Sequence, residues 1–169
     1  MHLTRRKILG MAASAAMLPA TKAAADDAID LDWEDLIPPE GDGTALAALR
    51  KLGVVQHEQL STGFSQPEST GLVREFDGKV VRLPGFIVPL KMGAEGVTEF
   101  ILAPFVGACI HVPPPPANQL VFVTSPEPYQ SKGLFEPVHV TGMFGAAATG
   151  TQLAEIGYAM SAEKIVPYE

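Results

Sequence analysis

Beyond residue 71 the apolar side chains recur with a period of two, and this pattern constrains the fold more than any other feature of the chain. Such alternation, with β-branched residues and short breaks rich in glycine and proline, is typical of β-strands. The predicted strands are residues 79–90, 97–105, 119–124, 137–144 and 156–166. Because five strands with short connections would expose two edges as an open sheet, the pattern predicts a small closed or partly closed barrel.

The breaks between these runs are predicted turns. They lie at residues 77–78, 93–96, 113–116, 125–133 and 145–150. Three prolines, Pro84, Pro89 and Pro104, lie within otherwise good strands. Since proline has no N–H to donate to a ladder, we expect these positions to be strand ends, edges or bulges.

Residues 1–25 predict an export signal. They hold four bases and no acid, and Thr4-Arg5-Arg6-Lys7 precedes a soft apolar run, which resembles a twin-arginine signal peptide. The run is roughly 13 residues long, shorter than the about 20 that a membrane-spanning helix needs. No cysteine follows it for lipid attachment. We expect a periplasmic protein without a membrane anchor. The alternative to the twin-arginine signal is an ordinary secretory signal.

The chain that remains after export is strongly acidic. It keeps 8 bases against 19 acids, and eight of those acids lie between residues 26 and 42. Because nucleic-acid-binding proteins present basic side chains to phosphates, this balance excludes general nucleic-acid binding. The single cysteine, Cys109, excludes an internal disulfide, a C-x-x-C redox pair and a four-thiolate zinc site.

Residues 26–70 are predicted to form an extended acidic arm and one short helix, before a barrel domain over residues 71–169. Apolar residues at helical spacing place the helix at residues 44–55. The only tryptophan, Trp33, lies in the acidic part among leucine and isoleucine residues. We expect its indole to dock into a groove on its own domain, with docking onto another protein as the alternative.

An unusual motif runs from Cys109-Ile110-His111-Val112 through four prolines to Ala117-Asn118-Gln119. It resembles the exported bacterial family called domain of unknown function 3299, and the likeness extends from about residue 31 to the C-terminus. Other matching segments are Trp33 with Asp35-Leu36, residues 83–90, residues 99–102 and residues 137–142. The resemblance implies a periplasmic barrel of the oligonucleotide/oligosaccharide-binding (OB) type, with some members encoded beside metal-responsive transport genes. His139 departs from the family pattern, in which an aromatic residue such as tryptophan is expected.

Cys109 and His111 are the candidate metal ligands. Two positions apart on an extended backbone, their side chains leave the same face, and a thiolate with an imidazole suits zinc or copper. A third donor is needed, and the candidates are His139, His57 and Glu99. Two other interpretations stay open: a buried structural cysteine, which is common for a lone thiol between apolar neighbours, and a reactive thiol activated by a base.

The four prolines form a predicted polyproline II segment, which we call the proline strap: Pro113, Pro114, Pro115 and Pro116. The strap either fixes the geometry of its neighbours or binds a partner protein. Asn118 and Gln119, just after it, bring donors and acceptors that can tie it to the barrel or bind a ligand.

These features favour a periplasmic binding or accessory protein over an enzyme. One hypothesis is a zinc or copper site at Cys109 and His111 that serves metal transport or homeostasis, with an envelope transport or metal-handling protein as partner. A second is an adaptor that binds an envelope protein through Trp33 or the strap. A third is a thiol enzyme. The sequence has no Gly-x-Ser-x-Gly elbow, no Gly-x-x-x-x-Gly-Lys phosphate loop and no His-Glu-x-x-His pair.

Overall fold

The computed structural model describes residues 27–39, 66–108 and 114–168, and within these ranges the chain is mainly β. The predicted signal peptide and the predicted helix over residues 44–55 lie outside the described residues. Helical structure in the described ranges takes the form of 3-10 turns, two of which concern the site: Trp33–Leu36 and Ala117–Gln119. Within those same ranges, no helix has the length and apolarity needed to span a membrane.

Six strands form one sheet. They are β1 Ile29–Asp30, β2 Lys79–Gly93, β3 Gly96–Ala103, β4 Val121–Tyr129, β5 Pro137–Gly150 and β6 Glu155–Pro167. The sheet closes because β2 pairs with β5 as well as β3, which gives the cyclic order β2-β3-β4-β6-β5-β2. The pair β4 and β6 is parallel, whereas the other barrel pairs are antiparallel. This Greek-key barrel of five strands confirms the predicted OB-like fold, with β1 as an extra strand on β2.

The predicted turn at residues 125–133 is right only for residues 130–133, and the one at residues 145–150 is wrong. Residues 125–129 belong to β4, because Tyr129 pairs again with Val97 of β3. Residues 145–150 belong to β5, where small residues pair with β6 across a bulge. The turn between β5 and β6 lies later, at residues 151–154, where the hydroxyl of Thr151 accepts hydrogen bonds from the amides of Leu153 and Ala154.

The barrel interior holds the main core, and the acidic arm is part of it. Alternate residues of each strand point inward, as the period of two predicts. Leu31, Trp33 and Leu36 of the arm pack with them in the same cluster and are at most 5% exposed. The arm therefore docks on its own domain, which is the interpretation that the sequence favoured.

A second apolar cluster lies on the outer face of β2, β3 and β4. Val88, Ile101 and Ala103 alternate along their strands with inward-facing residues and form this cluster with Ala108 and Leu120. Phe105, Phe122 and Phe135 pack against it while partly exposed. The connection from β3 to β4, residues 104–120, therefore packs at both of its ends on the outer face of the barrel.

Candidate functional site

The segment that carries Cys109 and His111 joins two fixed points. Cys109, His111 and Pro113 lie outside the described residues, as does His57. On one side Ala108 is fully buried in the outer cluster. On the other side the chain continues as three buried prolines, Pro114, Pro115 and Pro116.

Gln66 holds the proline strap against β6. Its Nε2 donates to the carbonyl of Pro115 at 2.8 Å and to that of Glu155 at 2.7 Å. Its Oε1 accepts the amide of Glu155 at 2.8 Å. The close approach of the strap also needs a glycine, because a Cβ at Gly157 would lie 2.7 Å from the carbonyl oxygen of Ala117. The strap is therefore fastened to its own barrel, and its three described prolines are covered.

Asn118 and Gln119 are buried and bond within the chain. Gln119 Nε2 donates to the carbonyls of Trp33 and Asn118, both at 2.9 Å. Asn118 Nδ2 donates to the hydroxyl of Thr70 at 3.5 Å. The sequence allowed these amides either to tie the strap to the barrel or to bind a ligand. In the structure, their hydrogen bonds tie the residues just after the strap to the arm and to the segment before β2.

Gln119 also carries an unsatisfied acceptor. Among the described residues, its Oε1 is a buried side-chain atom without a hydrogen-bond partner, although the residue is only 1% exposed. Exchanging the two amide atoms would not help, because the oxygen would then face the carbonyl oxygens of Trp33 and Asn118. Buried acceptors in native proteins nearly always receive a donor, so this oxygen is an exception among the described residues.

The indole of Trp33 is buried against the barrel. Its Nε1 donates to the carbonyl of Pro84 at 2.7 Å, and the ring is 4% exposed. Three residues later, the carbonyl of Leu36 accepts the hydroxyl of Tyr158 at 3.2 Å, and that hydroxyl accepts the amide of Val73 at 2.8 Å. Burial raises the pKa of Tyr158, so the hydroxyl keeps its proton for this contact.

His139 lies on the outer face of β5, half-buried. Its ring centroid is 4.5 Å from that of Tyr168. Burial lowers the pKa of His139, nearby Arg82 lowers it further, and Asp30 opposes them. His139 pairs with Pro84, and Val88 of the outer cluster lies four residues farther along β2, which is roughly 13 Å at strand spacing.

The structure does not bring the described donor candidates together. Glu99 pairs with Lys91 at 3.1 Å, and it lies on a different strand from His139. Among the described residues, no group of three or more histidine, cysteine or acidic side chains is placed to hold a metal ion.

Glu136 is a buried carboxylate that the sequence analysis missed. It accepts hydrogen bonds from the hydroxyls of Tyr129 and Ser131, each at 3.0 Å, and from the amide of Lys132 at 2.6 Å. Burial, the hydrogen bond to Glu136 and the charge of that carboxylate together raise the pKa of Tyr129 to about 12. The network closes the loop before β5, where Phe135 has a φ of 60°. Neither Glu136 nor Gln66 stands in a recognisable sequence motif, so only the fold reveals their roles.

Comparisons with known proteins agree with this architecture. The family model described as protein of unknown function (DUF3299) matches residues 33–167. A crystal structure of a DUF3299 family protein from Pseudomonas aeruginosa PAO1 is similar, with 37% sequence identity and a TM-score of 0.65. The match covers 84% of this chain and 97% of that one. The chain matches none of the curated proteins with which it was compared.

Proposed function

This chain belongs to the DUF3299 family, and on that premise we propose that it is an exported binding protein that holds a zinc or copper ion at Cys109 and His111. The proposed role is metal transport or homeostasis in the periplasm, without turnover of a substrate. The twin-arginine-like segment at residues 1–25 supports export. Because that pathway moves proteins after they have folded, a metal ion can be inserted before export.

The residue types support the choice of metal. A cysteine thiolate and a histidine imidazole are preferred ligands of zinc and copper and poor ligands of magnesium or calcium. The spacing of two lets both side chains address one ion from the same side of an extended backbone. A third ligand completes the site, and His139 and His57 are the candidates to test.

The observation that carries the proposal is the fixation of the β3–β4 connection on both sides of this pair. Ala108 is buried in the outer cluster before it, and Gln66 bonds the strap to β6 after it. Fixed flanks restrict the conformations open to the segment between them, so less freedom is lost when an ion binds and tight binding is favoured. The unsatisfied Oε1 of Gln119 lies at the downstream end of the same connection.

The same contacts weigh against the adaptor hypothesis. A partner protein that used Trp33 would have to extract a ring that is 4% exposed, and one that used the strap would have to uncover buried prolines. We therefore assign these residues a positioning role. An envelope metal-handling protein remains the partner expected from the proposed role, with its contact elsewhere on the surface.

Metal analysis of the exported protein tests the proposal. The mature chain is purified from the periplasm without chelator, and metal per chain is measured for wild type, Cys109→Ser and His111→Ala. We expect close to one zinc or copper per wild-type chain and a loss of most of it in both variants. Met92→Leu is the matched control, because it removes the sulfur of a residue that is 61% exposed on the barrel surface.

His139→Ala and His57→Ala then identify the third ligand as the one whose loss lowers the metal content. Circular dichroism and melting temperature establish that each variant is folded. Wild-type protein that is metal-free under these conditions and takes up neither ion when supplied would contradict the proposal.

A further inference from the structure

The barrel has an open seam between β4 and β6. Their parallel pairing joins residues 121–124 of β4 to residues 158–161 of β6 and ends there. Both strands continue past this point, to Tyr129 and to Pro167. The seam lies at the end of β4 remote from the proline strap, so it is separate from the site around Cys109 and His111.

The sequence of β4 keeps the seam open. Four residues, 125–128, bulge opposite the single residue Thr98 before β4 pairs again with β3 at Tyr129. Two of the four, Pro126 and Pro128, have no N–H to donate, so this stretch cannot complete a ladder with β6. The hydroxyl of Ser125 donates to the carbonyl of Glu127 at 2.6 Å, which turns the bulge in on itself.

The opposite wall of the seam is the edge of β6 that faces away from β5. Beyond Ser161, β6 pairs with β5 on one side, from Ala162 with Gly142 to Pro167 with Val138. No other strand of the described ranges pairs with its second side beyond Ser161. This edge carries one bulge, at Glu163, and from Lys164 to Pro167 it has the regular register that lets an additional strand find alternating donors and acceptors.

Between the two walls lies a cleft of about 450 Å³, lined by residues 125–129 and 161–165. Its charged side chains are Glu127, Glu163 and Lys164, so its charge is net negative. The formal net charge of the whole chain is also negative, at −7. The cleft therefore combines a hydrogen-bonding edge with a preference for a positively charged occupant.

We propose that this cleft binds an extended, basic peptide segment of another protein, which adds to the edge of β6 as an extra strand. Main-chain hydrogen bonds to β6 supply the affinity, and the carboxylates of Glu127 and Glu163 select a lysine or arginine side chain. The bulge at residues 125–128 forms the other wall, against which the segment packs. This activity goes beyond metal binding and does not depend on Cys109 or His111.

A short synthetic peptide tests the proposal on the mature protein. The probe is acetyl-Thr-Val-Lys-Val-Thr-amide. Its binding is measured by isothermal titration calorimetry and by the shifts of the protein's backbone amides in NMR spectra. We expect saturable binding with the largest shifts at residues 161–165. Methylating the backbone nitrogens of the probe is expected to abolish binding, because it removes the main-chain donors. Replacing its lysine by glutamate is expected to weaken binding, because it reverses the charge that Glu127 and Glu163 attract.

Charge variants of the protein provide the matched comparison. Glu163→Lys is expected to weaken binding of the lysine probe by roughly twofold to tenfold, as for partly screened ion pairs. Glu75→Lys makes the same change of charge on an exposed turn outside the cleft and is expected to leave binding unchanged. Unaltered melting temperatures show that both variants are folded.

Three results would overturn the proposal. One is the absence of binding at millimolar probe; another is binding that the methylated probe reproduces. The third is a concentration-dependent dimer whose formation shifts the amides of residues 161–165 without peptide, which would make a second copy of the chain the occupant. Metal content is unaffected in each case, so failure here is distinct from failure of the proposed metal site.

Discussion

The indole of Trp33 fixes the acidic arm to the barrel through one hydrogen bond and its apolar surface. The Nε1 of Trp33 donates to the carbonyl of Pro84. The backbone carbonyl of Trp33 accepts a hydrogen bond from the side chain of Gln119. Two bonds of opposite direction thus join the arm to β2 and to the end of the strap. The arm and the strap are therefore held by the same few side chains.

Trp33→Phe separates the hydrogen bond from the apolar contact. The phenyl ring keeps most of the packing but leaves the partly buried carbonyl of Pro84 without this donor, which is expected to cost about 1 to 3 kcal/mol of unfolding free energy. Urea unfolding followed by circular dichroism measures the change. Tyr168→Phe is the control, because its hydroxyl has no partner among the described residues, and a change within about 0.5 kcal/mol is expected. Equal stability of Trp33→Phe and wild type would contradict the docked arm.

His139 is expected to make stability depend on pH. Burial and Arg82 lower its pKa below the usual value of 6.5, so the folded state favours the neutral ring. The stabilisation is complete above the unfolded value and is lost as pH falls through the folded value. Wild type should therefore lose more stability than His139→Gln between about pH 7.5 and pH 5. Parallel urea midpoints for the two proteins over this range would contradict the assignment.

At the residue scale, the sequence predicted some roles and could not predict others. Trp33 was predictable, because a lone indole among apolar neighbours in an acidic segment has strong reason to be buried. Gln66 and Glu136 were not, since a single polar residue in a loop acquires a role only from the backbone groups that the fold brings near it. The structural surroundings of Cys109 and His111 stay a prediction.

At the element scale, the connection from β3 to β4 depends on a close contact with β6. Gly157→Ala would place a methyl group 2.7 Å from the carbonyl oxygen of Ala117, a backbone atom that cannot move without shifting the strap. We expect a loss of about 1 to 3 kcal/mol in unfolding free energy and a weaker metal affinity. Gly133→Ala is the control, because no atom lies within 4 Å of the added carbon. Unchanged stability of Gly157→Ala would show that the strap does not press on β6.

The existence of the strands was predictable, but their ends were not. The period of two located all five barrel strands, since it follows directly from burial of one face. Glycine and alanine at residues 145–150 read as a turn, yet β6 pairs with this stretch and keeps it extended. Pro89 does adjoin a shift in register, as proline in a strand suggests, whereas Pro84 pairs within a regular stretch of β2.

At the scale of the whole molecule, the acidic arm is docked on the barrel and the strap is fastened to it. The cyclic strand order leaves β4 and β6 as the pair that separates, and the extra strand β1 covers part of β2. Closure could be argued from strand number and edge protection. Which pair would open could not, because that depends on the bulge at residues 125–128.

Export of the whole molecule is expected to need both arginines of the leader. Replacing Arg5 and Arg6 by lysine keeps the charge but removes the paired guanidinium groups that define the twin-arginine signal. We expect the precursor to accumulate in the cytoplasmic fraction, with little mature protein in the periplasm. Normal export of this variant would point to the general secretory route.

The most direct test of the central claim is the absorption spectrum of the mature protein with cobalt(II), which replaces zinc and reports on thiolate ligands. We expect a thiolate-to-cobalt charge-transfer band that saturates near one equivalent, disappears in Cys109→Ser and weakens in His111→Ala. A wild-type spectrum without that band, or the same band in Cys109→Ser, would contradict it.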